Sequence, residues 1–218
     1  MSLEGTHIRF ALDLQKEYKI EDINKYIAGS IYPDSRYVSG INRESTHHDK
    51  YILPEFATDD FKKGWRSHQI CDRAFNLARK KLFPDLFPPN YDFYAIEDWI
   101  IITAMKIIQD MNDIQLFDIK IYLPCLGYAF NPNNENIEII KKYNHIMIDL
   151  YSGDAISVEN YINMWLALGP EAVLCNKVRA KTEEYLQNPE IVIRIKSIYQ
   201  EMLNTYPSIL IEKKFSLG

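Results

Sequence analysis

A histidine and an aspartate stand four residues apart, at His68 and Asp72, in a segment whose pattern predicts a helix over residues 58–82. One side of this predicted helix is mostly apolar, and both residues fall on that side. Side chains four apart on a helix lie one turn from each other, so this imidazole and this carboxylate can converge on one ion. The pair is therefore either a metal-ligand pair or a buried histidine–aspartate hydrogen bond without a metal. The apolar stripe comprises Phe61, Gly64, Trp65, His68, Cys71, Asp72, Phe75, Ala78 and Leu82, and the predicted solvent side comprises Lys62, Lys63, Arg66, Gln69, Arg73, Asn76 and Lys80.

Other potential ligands occur before residue 50. His7 lies on the same predicted helix face as Ala11, Leu14 and Tyr18, and it is either a structural core histidine or a ligand. A carboxylate follows a proline at Pro33-Asp34, and two imidazoles follow a threonine at Thr46-His47-His48-Asp49. Each loop residue alone is typical of a solvated turn, and only their combination with the helix pair favours a metal site.

Two further acidic positions invite a similar interpretation. His145 and Asp149 copy the spacing of His68 and Asp72, but they fall on a polar helix face and are predicted to be a solvated surface pair. Asp110 lies among apolar residues in the most hydrophobic helix, where it either orients a ligating imidazole or pairs with Lys106.

The elements that must position these groups are predicted to be helices. Only 8 glycines occur in 218 residues, too few for the turns of an all-β domain, and the sequence predicts one all-α domain over residues 1–218. The predicted fold is a multi-helix bundle with a long functional loop after the second helix. That loop, residues 30–50, shows no sustained period, and the second helix before it is predicted to stop at Gly29. Thr6 is the predicted N-cap of the first helix, the helix at 95–111 is the predicted central one, and the full set is 6–18, 21–28, 58–82, 95–111, 135–151, 158–168, 170–186 and 189–206.

The amino-acid composition limits the classes of partner and of metal site that the sequence predicts. The 25 basic and 30 acidic residues give a net charge of −5, so there is no global attraction to nucleic acid or to an anionic membrane. Three widely spaced cysteines suggest neither disulfides nor a thiolate zinc site, and the longest apolar run is too short to span a membrane. The first residues lack the pattern of a secretion signal, so a cytoplasmic location is expected. The sequence is compatible with a homo-oligomer.

Read in order, several motifs resemble the zinc-dependent phospholipase C family in its broad sense, over about the first 75 residues. The motifs are Thr6-His7-Ile8, Gly29-Ser30-Ile31-Tyr32-Pro33-Asp34, Thr46-His47 and Gly64-Trp65-x-x-His68-x-x-x-Asp72. The resemblance implies an all-α fold in which Asp34, His47, His68 and Asp72 complete one metal site and His7 belongs to a neighbouring one. Members with three zinc ions use a further histidine pair with a glutamate, whereas the second half of this chain has only His145, so one ion or two is expected. His48 is an alternative to His47, because the sequence does not fix the register of the loop.

A second resemblance uses other residues. His7, the doublet His48-Asp49 and a later aspartate such as Asp110 or Asp118 also resemble the all-α metal phosphohydrolases named for their His-Asp doublet. That interpretation leaves Asp34, His68 and Asp72 without a role, and it ranks second.

Three classes of function therefore stay open. The first is a metal-dependent hydrolase of a small phosphomonoester or diester, with a metal-bound hydroxide as nucleophile and Asp34 as general base. Its expected cofactor is a divalent ion, zinc first, with manganese, iron and nickel as alternatives, since all the ligands are nitrogen or oxygen. Arg36, Arg43 and Lys50 are candidates for phosphate contact. The second class is the His-Asp doublet type of nucleotide phosphohydrolase, and the third is a non-catalytic helical binding protein whose metal is structural or absent.

Overall fold

The structure is a computed structural model that describes residues 2–88 and 95–215, with side chains described as far as residue 211. The described residues form helices and no strand, which confirms the predicted all-α class. The helices are α1 (Glu4–Leu14), α2 (Ile23–Ile31), α3 (Arg36–Ser39), α4 (Asp60–Leu82), α5 (Ile96–Asp113), α6 (Ile137–Ser152), α7 (Val158–Leu168), α8 (Ala172–Leu186), α9 (Pro189–Lys196) and α10 (Ile198–Phe215). No helix in the described ranges is long and apolar enough to cross a membrane.

The N-terminus of α1 is capped by other parts of the fold rather than by its own sequence. The helix begins at Glu4, so the prediction of Thr6 as N-cap was wrong. The backbone N–H of Thr6 donates to Asp110 Oδ1 at 2.6 Å, and the Thr6 hydroxyl donates to Asp113 at 2.8 Å. Asp110 of α5 therefore accepts from a backbone N–H that a local cap would otherwise serve, and Asp113 binds the Thr6 side chain. The helix ends at Leu14, and a 3₁₀ turn, Gln15–Glu17, covers most of the remainder of the predicted helix.

Helices α2 and α4 approach each other closely at two glycines. The prediction that α2 stops at Gly29 was wrong, because the helix continues to Ile31. A Cβ at Gly29 would lie 2.0 Å from the Phe61 carbonyl oxygen, and a Cβ at Gly64 would lie 1.9 Å from the Tyr26 carbonyl oxygen. Both glycines therefore serve backbone-to-backbone packing of α2 on α4, where no side chain fits.

Helix α4 is covered on more than its predicted face. Asp59 is its N-cap and accepts from the Lys62 N–H at 2.9 Å, and every residue of the predicted stripe is buried except Leu82, which is half-buried. Arg66 and Gln69, predicted on the solvent side, are also buried. Arg66 Nε donates to the Ile52 carbonyl and Gln69 Nε2 donates to the Thr46 carbonyl, because the segment after α3 folds over this side of the helix.

The segment predicted as a long loop is built from short helical turns. It contains 3₁₀ turns at Tyr32–Ser35, Arg43–Ser45 and Asp49–Ile52, together with α3. The Trp65 indole N–H of α4 donates to the Thr46 carbonyl at 2.8 Å and holds the segment against the helix. This segment therefore packs against α4.

The second half of the chain follows its predicted pattern closely. Helix α5 is buried over most of its length, as predicted for a central helix, and α6, α7 and α8 begin or end within two residues of their predicted limits. A 3₁₀ helix, Ile119–Gly127, occupies the stretch before α6 that the sequence left undefined. The helix predicted over 189–206 is divided at Ser197 into α9 and α10, and α10 continues through Pro207 to Phe215.

Candidate metal centre

Five side chains from four parts of the chain converge at one buried place. His7 comes from α1, Asp34 from the 3₁₀ turn after α2, His47 from the segment after α3, and His68 and Asp72 from α4. All five were predicted as a metal-ligand set, and the structure brings all five together. Their side chains are nearly inaccessible, with the largest exposed fraction, 8%, at Asp72.

The potential ligand atoms lie within a narrow range of separations. His47 Nε2 is 3.3 Å from Asp34 Oδ1, 3.5 Å from Asp72 Oδ2 and 3.2 Å from His68 Nε2. His68 Nε2 is 3.7 Å from Asp72 Oδ2. Four donor atoms arranged tetrahedrally at about 2.0–2.2 Å from a zinc ion would be about 3.3–3.6 Å from one another. The four measured separations scatter around that range, so His47, His68 and Asp72, with Asp34 beside His47, present ligand atoms at the spacing that one ion requires.

Hydrogen bonds at the outer nitrogens set the orientation of two imidazoles. His68 Nδ1 lies 2.8 Å from the Ser30 carbonyl oxygen, which can only accept, so this nitrogen carries the proton. His47 Nδ1 lies 2.8 Å from the Thr46 hydroxyl. This arrangement directs both Nε2 atoms inward, and the assignment from the hydrogen bond leaves His68 Nε2 with a lone pair. Metal-binding histidines are commonly held in this way.

His7 occupies a neighbouring position. Its ring stacks on that of His68, with centroids 3.8 Å apart and planes 10° from parallel. Its Nε2 is 3.4 Å from Asp72 Oδ1, whereas His47 and His68 approach Oδ2 of the same carboxylate. Two groups of potential ligands result, His7–His68–Asp72 and Asp34–His47–His68, each with its ligand atoms within 4.8 Å of one another. Asp72 therefore presents one oxygen to each side.

The electrostatics favour ionised carboxylates beside a neutral imidazole. Burial tends to raise the pKa of Asp34, but His47 and His68 outweigh it and lower the pKa of this carboxyl. Burial likewise opposes ionisation of Asp72, but the neighbouring His68 and His7 side chains hold the pKa of this carboxyl well below its usual value. Burial, reinforced by His7, lowers the pKa of His68 well below its usual value. For Asp34, Asp72 and His68 these are the protonation states that metal ligation requires. His7 differs, because Cys71 and Asp72 outweigh the effect of burial and raise the pKa of this imidazole well above its usual value.

The His48-Asp49 doublet does not take part. His48 is exposed and accepts from the Lys50 N–H at 3.0 Å, so the structure places His47, and not His48, in the centre. Asp49 is exposed and lies 3.6 Å from Arg73, and Asp118 is exposed as well. The arrangement that the second resemblance needs is therefore not formed.

Asp110 has a structural environment that neither predicted role describes. It accepts from the Thr6 N–H at 2.6 Å and from the hydroxyls of Tyr151 and Tyr161 at 2.8 and 2.7 Å. The predictions that it orients an imidazole or pairs with Lys106 were both wrong. Its three donors tie α5 to α1, α6 and α7, and so fix the helices around the centre.

The remaining candidates lie at the surface or at its edge. His145 and Asp149 form a pair at 3.7 Å with side chains 74% and 67% exposed, which confirms the predicted surface pair. Arg43 and Lys50 are exposed, with Lys50 above the Tyr51 ring. Arg36 is nearer the centre, with its Nε 3.8 Å from Asp34 Oδ1.

Two buried charged residues near the centre were not among the predicted site residues. Glu4 accepts a hydrogen bond from the Tyr143 hydroxyl at 2.5 Å, and burial, reinforced by Asp34, raises its pKa to about 7. It stands three residues before His7, a helical spacing that could have indicated it. Lys106 is buried in α5, and a single lysine in a largely apolar run could have indicated this burial, whereas the sequence predicted it only as a possible partner of Asp110.

No protein-family model, no curated protein and no solved structure matches this chain. The resemblance to the zinc-dependent phospholipase C family therefore stays a prediction that rests on the motifs and residues named above.

Proposed function

We propose that this protein is a metal-dependent hydrolase of small phosphoesters, with its divalent ion held by Asp34, His47, His68 and Asp72. The observation that carries the proposal is the approach of His68 Nε2 to His47 Nε2 at 3.2 Å. The proton of His68 is on its other nitrogen, so an inward lone pair faces a second imidazole and two carboxylates. A cation between them satisfies all four groups at once.

The alternative interpretation of His68 and Asp72, a buried histidine–aspartate hydrogen bond without a metal, explains this arrangement less well. His68 Nε2 and Asp72 Oδ2 are 3.7 Å apart, too far for a hydrogen bond, and neither ring nitrogen of His7 has a hydrogen-bond partner among the described residues. Buried polar atoms without partners are costly. Ligation would supply a partner for one of the His7 ring nitrogens.

The ligand set suits zinc, and also manganese, iron or nickel, because it mixes imidazole nitrogen with carboxylate oxygen. When bound, such an ion neutralises charge on a phosphoryl oxygen and makes a water molecule nucleophilic at neutral pH. The chain contributes the fixed positions of the ligands, and the ionised Asp34 is the proposed general base. His7, with Asp72 Oδ1 at 3.4 Å, is the proposed start of a second site beside the first.

The proposal is tested with metal-stripped protein that is reloaded with zinc, manganese, iron or nickel. A chromogenic phosphomonoester and a chromogenic phosphodiester are the substrates, with a carboxylic ester as the control. We expect phosphoester hydrolysis that requires the metal, is absent for the carboxylic ester, and falls at least about 100-fold in Asp72→Asn.

The matched control for Asp72→Asn is Asp149→Asn, which alters the exposed pair with the same spacing and should leave activity unchanged. Equal activity of the stripped and reloaded protein, or equal activity of the two variants, would contradict the proposal. Metal binding without hydrolysis of any phosphoester would favour the binding-protein alternative.

A further inference from the structure

The Thr46 hydroxyl contacts the ring nitrogen of His47 that does not face the other ligands. Thr46 is fully buried, and its Oγ1 lies 2.8 Å from His47 Nδ1 and 3.3 Å from the Arg43 carbonyl oxygen. A hydroxyl has one proton to donate and lone pairs that accept, whereas a carbonyl oxygen can only accept. The Thr46 hydroxyl can therefore either donate to Nδ1, or donate to the Arg43 carbonyl and accept a hydrogen bond from Nδ1.

The corresponding nitrogen of His68 has no such choice. His68 Nδ1 lies 2.8 Å from the Ser30 carbonyl oxygen, so it must carry the proton to form this hydrogen bond. The proton of neutral His68 is thus fixed at Nδ1, with or without a bound ion. The outer partner of His47 fixes neither tautomer, and the two imidazoles of the candidate centre differ in this respect.

The inner nitrogen of His47 faces acceptors. His47 Nε2 lies 3.3 Å from Asp34 Oδ1 and 3.5 Å from Asp72 Oδ2. It also lies 3.2 Å from His68 Nε2, which has a lone pair because the proton of that ring is on Nδ1. In the metal-free protein these acceptors favour a proton on His47 Nε2, whereas ligation through Nε2 requires that this nitrogen has none.

We propose that Thr46 is a positioning residue whose hydroxyl allows His47 to change tautomer when an ion binds. In the metal-free protein the hydroxyl donates to Nδ1, and the imidazole proton is on Nε2. In the metal-loaded protein, after proton exchange with water, the imidazole proton is on Nδ1 and is donated to Thr46 Oγ1, while the hydroxyl proton turns to the Arg43 carbonyl. His47 is neutral in both states, and no proton is gained or lost overall. The inference rests on the metal centre of the proposed function.

The backbone of Thr46 is held independently of the hydroxyl. Its carbonyl oxygen accepts from Trp65 Nε1 at 2.8 Å and from Gln69 Nε2 at 2.9 Å. Both donors belong to α4, the helix that carries two of the other ligands. Thr46→Val should therefore remove the hydroxyl while keeping the backbone beside His47 in place, and Thr46→Ser keeps the hydroxyl.

The test follows the imidazole nitrogens of isotope-labelled protein by NMR, before and after loading with zinc, because protonated and unprotonated ring nitrogens differ in chemical shift. We expect the proton of His47 on Nε2 in the metal-free wild type and on Nδ1 in the zinc-loaded one. The proton of His68 should be on Nδ1 in both. His48 is the internal control, since its Nδ1 accepts from the exposed Lys50 N–H and its signals should not change.

Zinc affinity, measured by competition titration, gives a second readout. Thr46→Val leaves the Nδ1 proton of zinc-bound His47 without an acceptor and should weaken zinc binding about 10–100-fold, whereas Thr46→Ser should bind within about 3-fold of wild type. The surface control is Thr58→Val, which removes an exposed hydroxyl that accepts from Lys62 and should leave zinc affinity unchanged.

One tautomer of His47 in both states, or a metal-free His47 that is protonated on both nitrogens, would overturn the inference while the proposed function stands. Equal zinc affinity of Thr46→Val and Thr46→Ser would also overturn it. Should Thr46→Val fail to fold, the NMR comparison of the two wild-type states decides alone. A wild type that binds no zinc would remove the proposed metal centre and this inference together.

Discussion

Replacing Gly64 by alanine tests how the packing of α2 on α4 supports the centre. The new Cβ would lie 1.9 Å from the Tyr26 carbonyl oxygen and 2.9 Å from the Ser30 backbone nitrogen. A carbon and an oxygen tolerate an approach of about 3.2 Å, so the helices must separate locally by about 1.3 Å. Both obstructing atoms belong to the backbone, and a rotamer change of another side chain cannot relieve the clash.

The separation would also break a contact of the centre. The Ser30 carbonyl belongs to α2 and accepts from His68 Nδ1 of α4 at 2.8 Å. Moved by the same amount, this distance becomes about 4 Å, beyond a hydrogen bond. Overpacking costs about 1–3 kcal/mol and the lost hydrogen bond about 1 kcal/mol. The expected destabilisation of about 2–4 kcal/mol corresponds to a fall in Tm of roughly 5–15 °C in a chain of this size.

The assay is thermal and denaturant unfolding of the metal-free protein, followed by titration with zinc. Gly64→Ala should unfold earlier and should bind zinc about 10–100-fold more weakly, because His68 has lost the group that orients it. Gly127→Ala is the matched control, since a Cβ at Gly127 meets nothing within 4 Å. If Gly64→Ala were as stable as Gly127→Ala, the described backbone contact of α2 and α4 would be wrong. If it were unstable but bound zinc normally, the link between helix packing and the centre would be refuted.

Three further predictions concern other residues around the centre. His47→Ala should weaken zinc binding at least about 10-fold in a competition titration, whereas His48→Ala should leave it unchanged, because only His47 faces the other ligands. Burial raises the pKa of Glu4 to about 7, so ionisation of Glu4 opposes folding as the pH rises from about 4.5 to 7. In denaturant unfolding of the metal-free protein, Glu4→Gln should therefore have an unfolding free energy higher than that of wild type by on the order of 1–3 kcal/mol at pH 8, and nearly the same at pH 4.5. A difference that does not depend on pH would refute this origin of the effect. Tyr161→Phe removes one of three donors to the buried Asp110 and should cost about 1–3 kcal/mol of unfolding free energy, and an unchanged midpoint would show that the bond contributes nothing.

The sequence identified candidate ligands most directly where a polar or charged side chain falls on an apolar helix face. His68 and Asp72 were identified because a charged and a polar residue interrupt an apolar stripe, and burial of such groups requires a partner. Asp34 and His47 were identified through short motifs of the early segment, and the structure places them 3.3 Å apart, with His47 3.2 Å from His68. The contrast with His145 and Asp149 shows that the face, and not the spacing, separates a buried pair from an exposed one.

The predictions that were wrong have a common physical cause. In each case a local feature of the sequence is explained by a contact with a distant part of the chain. Gly29 has the appearance of a helix end, but it is required by the close approach of Phe61. Thr6 has the appearance of an N-cap, but α5 supplies the capping carboxylate. Lys106 was paired with Asp110 by sequence distance alone, whereas Asp110 is satisfied by two tyrosines from more than forty residues away. Tertiary packing determines the role of each of these residues, and a single sequence does not specify which distant elements pack together.

The most direct test of the metal centre is the metal content of the purified protein, measured by elemental mass spectrometry after reloading and removal of excess ion. We expect one to two divalent ions per chain in the wild type and in the control His145→Ala, and less than about a tenth of that in His68→Ala and Asp72→Ala. Equal metal content in all four proteins, or none in the wild type, would contradict the existence of the centre.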